Sequence, residues 1–420
     1  MTGGTGRTMA GRRPRTVLWS AFLAAHALVA VLGWILPSMP MGDVVLVYEP
    51  WSRSTLTGGS IVGVTEPWVY PQLALLPMLA AQGIATLLVP VAGAASYLVA
   101  WAVLVTILDA VAFGVLLGTG RSSARRRAAW FWILAMTLLG PIAVYRIDAI
   151  TVPVTVLAVL LLSARPAVAS ALLTIGAWIK IWPGAVLVAA VALLRSRARM
   201  IASAAGVTAL VVGTLVLLGG SPYLFGFLTE QTGRGLQIEA VAATPFLWLA
   251  VTGAARIEYS REILTFQIVA PGADAVSSVL TPLMAVVVLA VAGLVVLRLR
   301  AGAGVRRLLG PAALALTVVL IVCNKVGSPQ FQTWLIAPVV LWLLLDRRRA
   351  LLPALLVLAA SLLTQAVYPI TYDGLLRAQA LPALLLTVRN LVVVVAGVVS
   401  VRRLLAVPVP AAKPVPARSA

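Results

Sequence analysis

Two carboxylates lie within seven residues in the stretch "MGDVVLVYEPW" (41–51), Asp43 and Glu49, with Tyr48 beside the second. The whole chain carries only 12 acidic residues in 420 positions, so this is a local concentration. A carboxylate within hydrogen-bond reach of a hydroxyl can take its proton as that oxygen attacks an electrophile. Asp43 is therefore the candidate general base, and Glu49 a group that supports it or binds hydroxyls. Downstream, "GGSIVGVTEPWVYPQLAL" adds Trp68 and Tyr70. With Trp51 and Tyr48 these rings could stack on sugar faces, or form the aromatic belt of a membrane edge.

Four cations recur in separate stretches. "VYRIDAITVP" (144–153) holds Arg146 and Asp148, which read either as a local ion pair or as site residues. "AWIKIWPGAV" (177–186) places Lys180 between two short apolar arms, as a site lysine or one snorkelling to the interface. "TEQTGRGLQIEAVAATPFLW" (229–248) sets Arg234 between two glycines, with Glu239 five residues on, in what is otherwise a solvated loop. "CNKVGSPQFQTWLIAP" (323–338) holds Lys325, Ser328, Gln330 and Gln332. Two or three such cations gathered in a low-dielectric pocket would bind a phosphate strongly.

The elements that must position these residues are membrane helices. Hydrophobic residues make up 61% of the chain and charged residues 10%, with a mean hydropathy of +1.05. A soluble domain would show roughly a quarter charged. The net charge of +20 does not point to nucleic acid, because the basic residues fall in short bursts between apolar segments. Apolar runs at 16–37, 94–118, 128–145, 149–163, 167–180, 182–194, 201–219, 275–297, 308–323, 331–345, 350–367 and 381–400 give about 12 spans, several of them short. The apolar piece 70–90 carries Pro71, Pro77 and Pro90 and reads as a juxtamembrane or re-entrant element on the outer side.

Sorting the loops by parity gathers nearly pure positive charge on one side, including Arg121, Arg125 to Arg127, Arg195 to Arg199, Arg298 to Arg307, Arg347 to Arg349, Arg402 and Arg403. Mixed charge gathers on the other. By the positive-inside rule the first side is cytoplasmic. The fold class expected is an all-α polytopic integral membrane protein. A cytoplasmic basic N-terminus occupies 1–16, the transmembrane domain 17–400, and a Pro-rich cytoplasmic tail 401–420. Outer loops lie at 38–93 and 220–274. The first segment is too long for a cleavable signal, so the expected address is the plasma membrane, with both termini inside. Only Asp109 and Arg389 fall clearly within spans. The single Cys323 reads as a buried inert thiol, and His26 as a packed or hydrogen-bonded helix residue. No metal-ligand spacing and no nucleotide-binding motif appears, so no cofactor is expected, although a divalent ion is compatible.

The acid after the first span, "VYPQLALLP", "YRID", "WIKIWP", "RGLQIEAVAATPF" and "SPQFQTWLIAP" occur in that order. Together they resemble the actinobacterial polyprenyl-phosphate-dependent mannosyltransferases of glycosyltransferase family 87, within the GT-C superfamily, over roughly residues 17–400. The family often reads Tyr-Pro-Pro where this chain has Tyr70-Pro71-Gln72; the Lys-x-x-Pro element is present as Lys180 to Pro183. The resemblance implies that Asp43 is the general base of an inverting transfer. It further implies that a polyprenyl-phosphate-linked hexose, most often mannose, is the donor and that a lipid-linked or envelope glycan accepts it on the outer face. Such a reaction fits the residue types. The leaving lipid phosphate is already a fair anion and needs cations rather than a general acid, which Arg146, Lys180, Arg234 and Lys325 would supply. Tyr48, Glu49, Tyr70, Asp148, Glu239 and Gln330 are then expected to line sugar and acceptor. A transporter or lipid flippase, and a non-catalytic assembly subunit, are the other classes open to such a sequence. A transporter would place ionisable residues near the membrane midplane.

Overall fold

The structure is a computed structural model that describes residues 6–232, 234–260 and 265–410. Residues 411–420 of the expected Pro-rich tail lie outside the described residues. Among the described residues seventeen α-helices follow one another: α1 (Gly6–Ile35), α2 (Glu49–Leu56), α3 (Leu75–Ala92), α4 (Ser96–Leu117), α5 (Ser123–Leu139), α6 (Asp148–Leu161), α7 (Pro166–Ile179), α8 (Pro183–Leu193), α9 (Arg197–Leu217), α10 (Gly226–Thr232), α11 (Thr244–Val251), α12 (Ala273–Arg300), α13 (Val305–Val322), α14 (Ile336–Leu345), α15 (Arg347–Gln365), α16 (Tyr372–Leu376) and α17 (Ala380–Leu405). An antiparallel hairpin, β1 (Arg256–Ser260) and β2 (Thr265–Val269), interrupts the otherwise helical chain, with Arg256 opposite Val269.

Among the described residues seven segments are long and apolar enough to cross a membrane: Pro14–Ile35, Gln72–Leu117, Arg197–Leu217, Ala273–Arg300, Val305–Val322, Arg347–Ile370 and Ala380–Leu405. Five shorter apolar helical segments accompany them, at Asp148–Leu161, Pro166–Ile179, Pro183–Leu193, Val241–Val251 and Pro329–Leu345. The protein is a polytopic helical membrane protein. A 14-residue helix such as α6 or α7 is about 21 Å long, short of the roughly 30 Å hydrocarbon core.

The piece at 70–90, read as a juxtamembrane or re-entrant element, forms the 18-residue helix α3. Pro77 falls in its first turn, where no backbone N–H is needed, and Pro90 in its last. Ahead of it a π-helical turn at Val44–Tyr48 runs into α2. The expected large loop at 220–274 contains the β-hairpin, because "RIEYS" and "TFQIV" carry β-branched and aromatic residues at pleat spacing. The basic segment assigned to 1–16 is helical from Gly6, continuous with α1, and α17 likewise runs past 400 to Leu405.

Helix α13 is central and mostly buried, whereas α9 and α12 are mostly exposed and present Leu210, Leu217, Val286 and Leu289 outward. The main apolar cluster joins α1, α5, α6, α8 and α13 to α15. A second cluster packs α3 and α4 under the first loop, with Tyr97 donating to the Met78 carbonyl at 3.2 Å. Inside the bundle, His26 of α1 lies 3.0 Å from Asp109 of α4, the hydrogen-bonded role expected of it.

The basic loops gather at one end of the bundle. Arg349 donates to the Arg403 carbonyl and feels the charge of Arg307, Arg298 donates to the Val407 carbonyl, and Arg306 donates to the Leu345 carbonyl at 3.2 Å. Asp43, Arg146, Asp148, Lys180, Arg234, Glu239 and Lys325 gather elsewhere, in the loops that join the other ends of the helices.

Candidate functional site

Pro37 and Pro40 follow the last turn of α1 and cannot continue it, so the chain turns at 36–42 and delivers Asp43. Asp43 precedes the turn Val44–Tyr48, yet its side chain caps no helix N–H. Its Oδ2 faces Arg146 Nε at 3.4 Å instead, with the Asp43 side chain 35% exposed and that of Arg146 only 6%. Arg146 sits between a 3₁₀ turn and α6, and its remaining nitrogens donate to the Pro40 carbonyl (3.0 Å), the Tyr145 carbonyl (3.1 Å) and the Tyr368 hydroxyl (3.1 Å). Burial alone would lower the guanidinium pKa. The nearby Asp43, Tyr368 and Tyr48 oxygens outweigh it and hold the group firmly charged. Arg146 is therefore a partner of Asp43, and the local ion pair with Asp148, one of the two readings of this stretch, is not formed.

Asp148 opens α6 and is fully buried. Trp334 Nε1 donates to its Oδ1 at 2.6 Å, and Lys180 Nζ stands 3.9 Å from its Oδ2. Lys180 caps α7 in an extended conformation where Pro183 prevents α7 from continuing, and its ammonium lies 4.4 Å above the Tyr70 ring. Burial pushes the Lys180 pKa down, and Arg234 pushes it further, against the pull of Asp148 and Asp43. Lys325 is lowered by burial and by the same Arg234. Three of the expected cations, Lys180, Arg234 and Lys325, thus share one electrostatic neighbourhood, with Arg234 between the two lysines in its effects.

Glu239 reaches the site by a tight approach of two loops. A Cβ added to Gly327 would lie 1.9 Å from the Ala240 backbone nitrogen, so only glycine lets 325–327 close on 236–240. Gln237 N–H donates to the Lys325 carbonyl at 3.0 Å, and Ile268 N–H to the Leu236 carbonyl at 2.9 Å, so the β-hairpin holds the other side. Glu239 then meets Arg389 of α17 at 3.1 Å, both nearly fully buried. Burial lifts the Glu239 carboxyl to about 7, with Arg389 and Arg146 opposing.

Not every expected ligand-facing residue is available. Tyr48 is fully buried; it accepts the Ile147 N–H at 3.1 Å and packs on Trp101, so it ties the Asp43 turn to the Arg146 segment and offers no face to a sugar. Burial raises its pKa strongly, as it does that of Tyr70, where Asp43 adds to the effect. Glu49 points along α2 to Arg53 at 2.5 Å rather than to Asp43. Asp148 and Glu239 are buried in ion pairs and hold cations instead of lining an open cleft. Gln330 accepts from Ser328 Oγ and is buried. Trp51, Trp68 and Tyr70 pack edge to face at 5.4 to 6.1 Å, a small core of their own.

The sequence reading missed Arg389, Tyr368 and Trp334 as site residues. Arg389 had a signal, a charge inside a span. Tyr368 and Trp334 had none, since aromatic residues are common in apolar helices. Among the described residues no group of three or more His, Cys, Asp or Glu side chains comes together. An apolar groove of about 740 Å³ runs between α8 and α9, lined by Leu187, Val191, Ala205, Thr208 and Val212 among others. Trp178, two residues before Lys180, donates to Thr208 at 3.4 Å, which joins this groove to the cation cluster.

Compared with models of known protein families, with curated proteins and with solved structures, the chain matches none.

Proposed function

We propose that this protein is an inverting membrane glycosyltransferase. It moves a hexose, mannose by the resemblance to glycosyltransferase family 87, from a polyprenyl-phosphate carrier to a glycan or glycolipid hydroxyl. The observation that carries this reading is the partly exposed Asp43 carboxylate, oriented by buried Arg146, beside a group of buried and partly buried cations. In this reading the acceptor oxygen attacks C1 of the sugar and its proton passes to Asp43. The bond from C1 to the phosphate oxygen breaks, and the electron pair leaves on the lipid phosphate, where Lys180, Arg234 and Lys325 balance the added charge. The prenyl chain lies in the α8–α9 groove. By the positive-inside rule the basic end faces the cytoplasm of a plasma membrane and the site faces outward, with both termini inside.

The test is transfer from radiolabelled polyprenyl-phosphate-mannose in membranes expressing the chain, offered a panel of lipid and oligosaccharide acceptors. Transfer by the wild type with near-silence in Asp43→Asn at matched expression supports the reading. Equal transfer by both removes Asp43 from the mechanism.

One observation favours a second reading, a transporter or lipid flippase. The His26–Asp109 pair is buried between α1 and α4, where ionisable groups often mark a transport path. Movement of a fluorescent prenyl phosphate across liposomes carrying the protein, without sugar transfer, would favour it.

A further inference from the structure

The loop that carries Asp43 contains the least relaxed backbone near the site. Ser38 and Met39 both have positive φ, 59° and 48°, although neither is glycine. Such residues persist in the left-handed region only where surrounding contacts over-determine them. The contacts here are specific. The left-handed pair turns three consecutive carbonyls, those of Ser38, Met39 and Pro40, toward the same two side chains. The Tyr368 hydroxyl lies 3.1 Å from the Ser38 oxygen and 3.3 Å from the Met39 oxygen. Arg146 Nη1 donates to the Pro40 oxygen at 3.0 Å. Arg146 Nη2 donates to Tyr368 Oη at 3.1 Å, so the tyrosine accepts from the guanidinium and gives its single proton to the strap.

Tyr368 is 8% exposed and comes from the far end of the sequence, after α15. Its neighbour Asp373 takes a further bond from Ser38 Oγ at 3.2 Å. The same guanidinium that rests on Tyr368 presents its Nε to Asp43 Oδ2 at 3.4 Å. One hydroxyl therefore sets both the strap from which Asp43 projects and the tilt of the cation that faces it. We propose that Tyr368 is the positioning residue for Asp43, acting through the 38–40 strap and Arg146. The proposal rests on the transferase reading above for its kinetic part only.

The test uses Tyr368→Phe, which keeps the ring and removes the hydroxyl. Expected is a fall in kcat of roughly 10- to 100-fold, the effect of a small misplacement at a reacting group. The KM for polyprenyl-phosphate-mannose stays within about twofold, because the lysines are untouched. On an Asp43→Asn background the same change produces no further loss, since it acts only through that carboxylate. A second measurement needs no activity. In full-length Cys323→Ser protein, a nitroxide on Met39→Cys reports strap mobility by its spectrum, with a label on Leu218→Cys as control. Tyr368→Phe should mobilise the first label and leave the second unchanged. Unchanged kcat, a full additive loss on Asp43→Asn, or an unmoved Met39 label would each overturn the proposal. If the wild type transfers no sugar, the transferase reading fails and the label alone decides whether Tyr368 holds the strap.

Discussion

Asp43 Oδ2 and Arg146 Nε stand 3.4 Å apart, the acid partly open to solvent and the guanidinium buried beneath it. The cation is held by three further oxygens, so it is a fixed support and the acid is the exposed member. This asymmetry suits a base that must meet an incoming hydroxyl while keeping one orientation.

Asp43→Asn keeps the shape and removes the proton acceptor. Expected is a loss of about 10²- to 10⁴-fold in kcat for hexose transfer with donor KM nearly unchanged. Steady-state kinetics on purified protein in nanodiscs checks it. Glu49→Gln, whose carboxylate faces Arg53, is expected to change kcat by less than about twofold, the scale of an exposed helix pair.

Lys180 is a cation whose charge depends on pH, because burial and Arg234 push its pKa down. A lysine binds phosphate only when protonated, so donor KM should rise at alkaline pH, earlier than for an ordinary lysine. Lys180→Arg keeps its charge throughout and should flatten the alkaline limb. A KM-versus-pH profile that is the same for both proteins would show that Lys180 does not meet the phosphate.

Glu239 offers a stability measurement with a definite sign. Its carboxyl lies at about 7 in the folded protein, against 4.5 for an ordinary glutamate. The folded value is the higher one, so its contribution is fully present below about 4.5 and is lost as pH rises through about 7. The Tm of the wild type should therefore fall relative to that of Glu239→Gln between pH 5 and pH 8, read by thermal unfolding in detergent over roughly that window.

Arg389→Met leaves Glu239 buried without its cation. Glu239, lifted to about 7 even beside Arg389, then keeps its proton at neutral pH, so the loss is expected to grow as pH rises above about 7, toward about 3–5 kcal/mol once the carboxyl must ionise. Trp334→Phe removes the 2.6 Å donor from buried Asp148 and should lower stability by about 1–3 kcal/mol while leaving Asp43 in place. Denaturant titration of both variants, with the Trp fluorescence of the wild type as reference, measures the losses.

The amino-acid sequence by itself determined the membrane class, the positions of the long apolar helices and the separation of basic from mixed-charge loops. Those properties depend on apolar run length and loop charge, which are local. It also singled out Asp43, Lys180, Arg234 and Lys325, since charges are rare in such a chain and each one stands out. Only the tertiary structure decided the partners. Arg146 sits two residues from Asp148 yet turns to Asp43, more than a hundred positions away. Asp148 turns to Lys180 and to Trp334, and Glu239 to Arg389. These pairings depend on which helix ends meet in space, and that depends on packing of α13 at the centre and on the close approach at Gly327. The role of Tyr368 was illegible for the same reason. A tyrosine before a proline has no distinguishing pattern until folding brings its hydroxyl to the carbonyls of Ser38 and Met39.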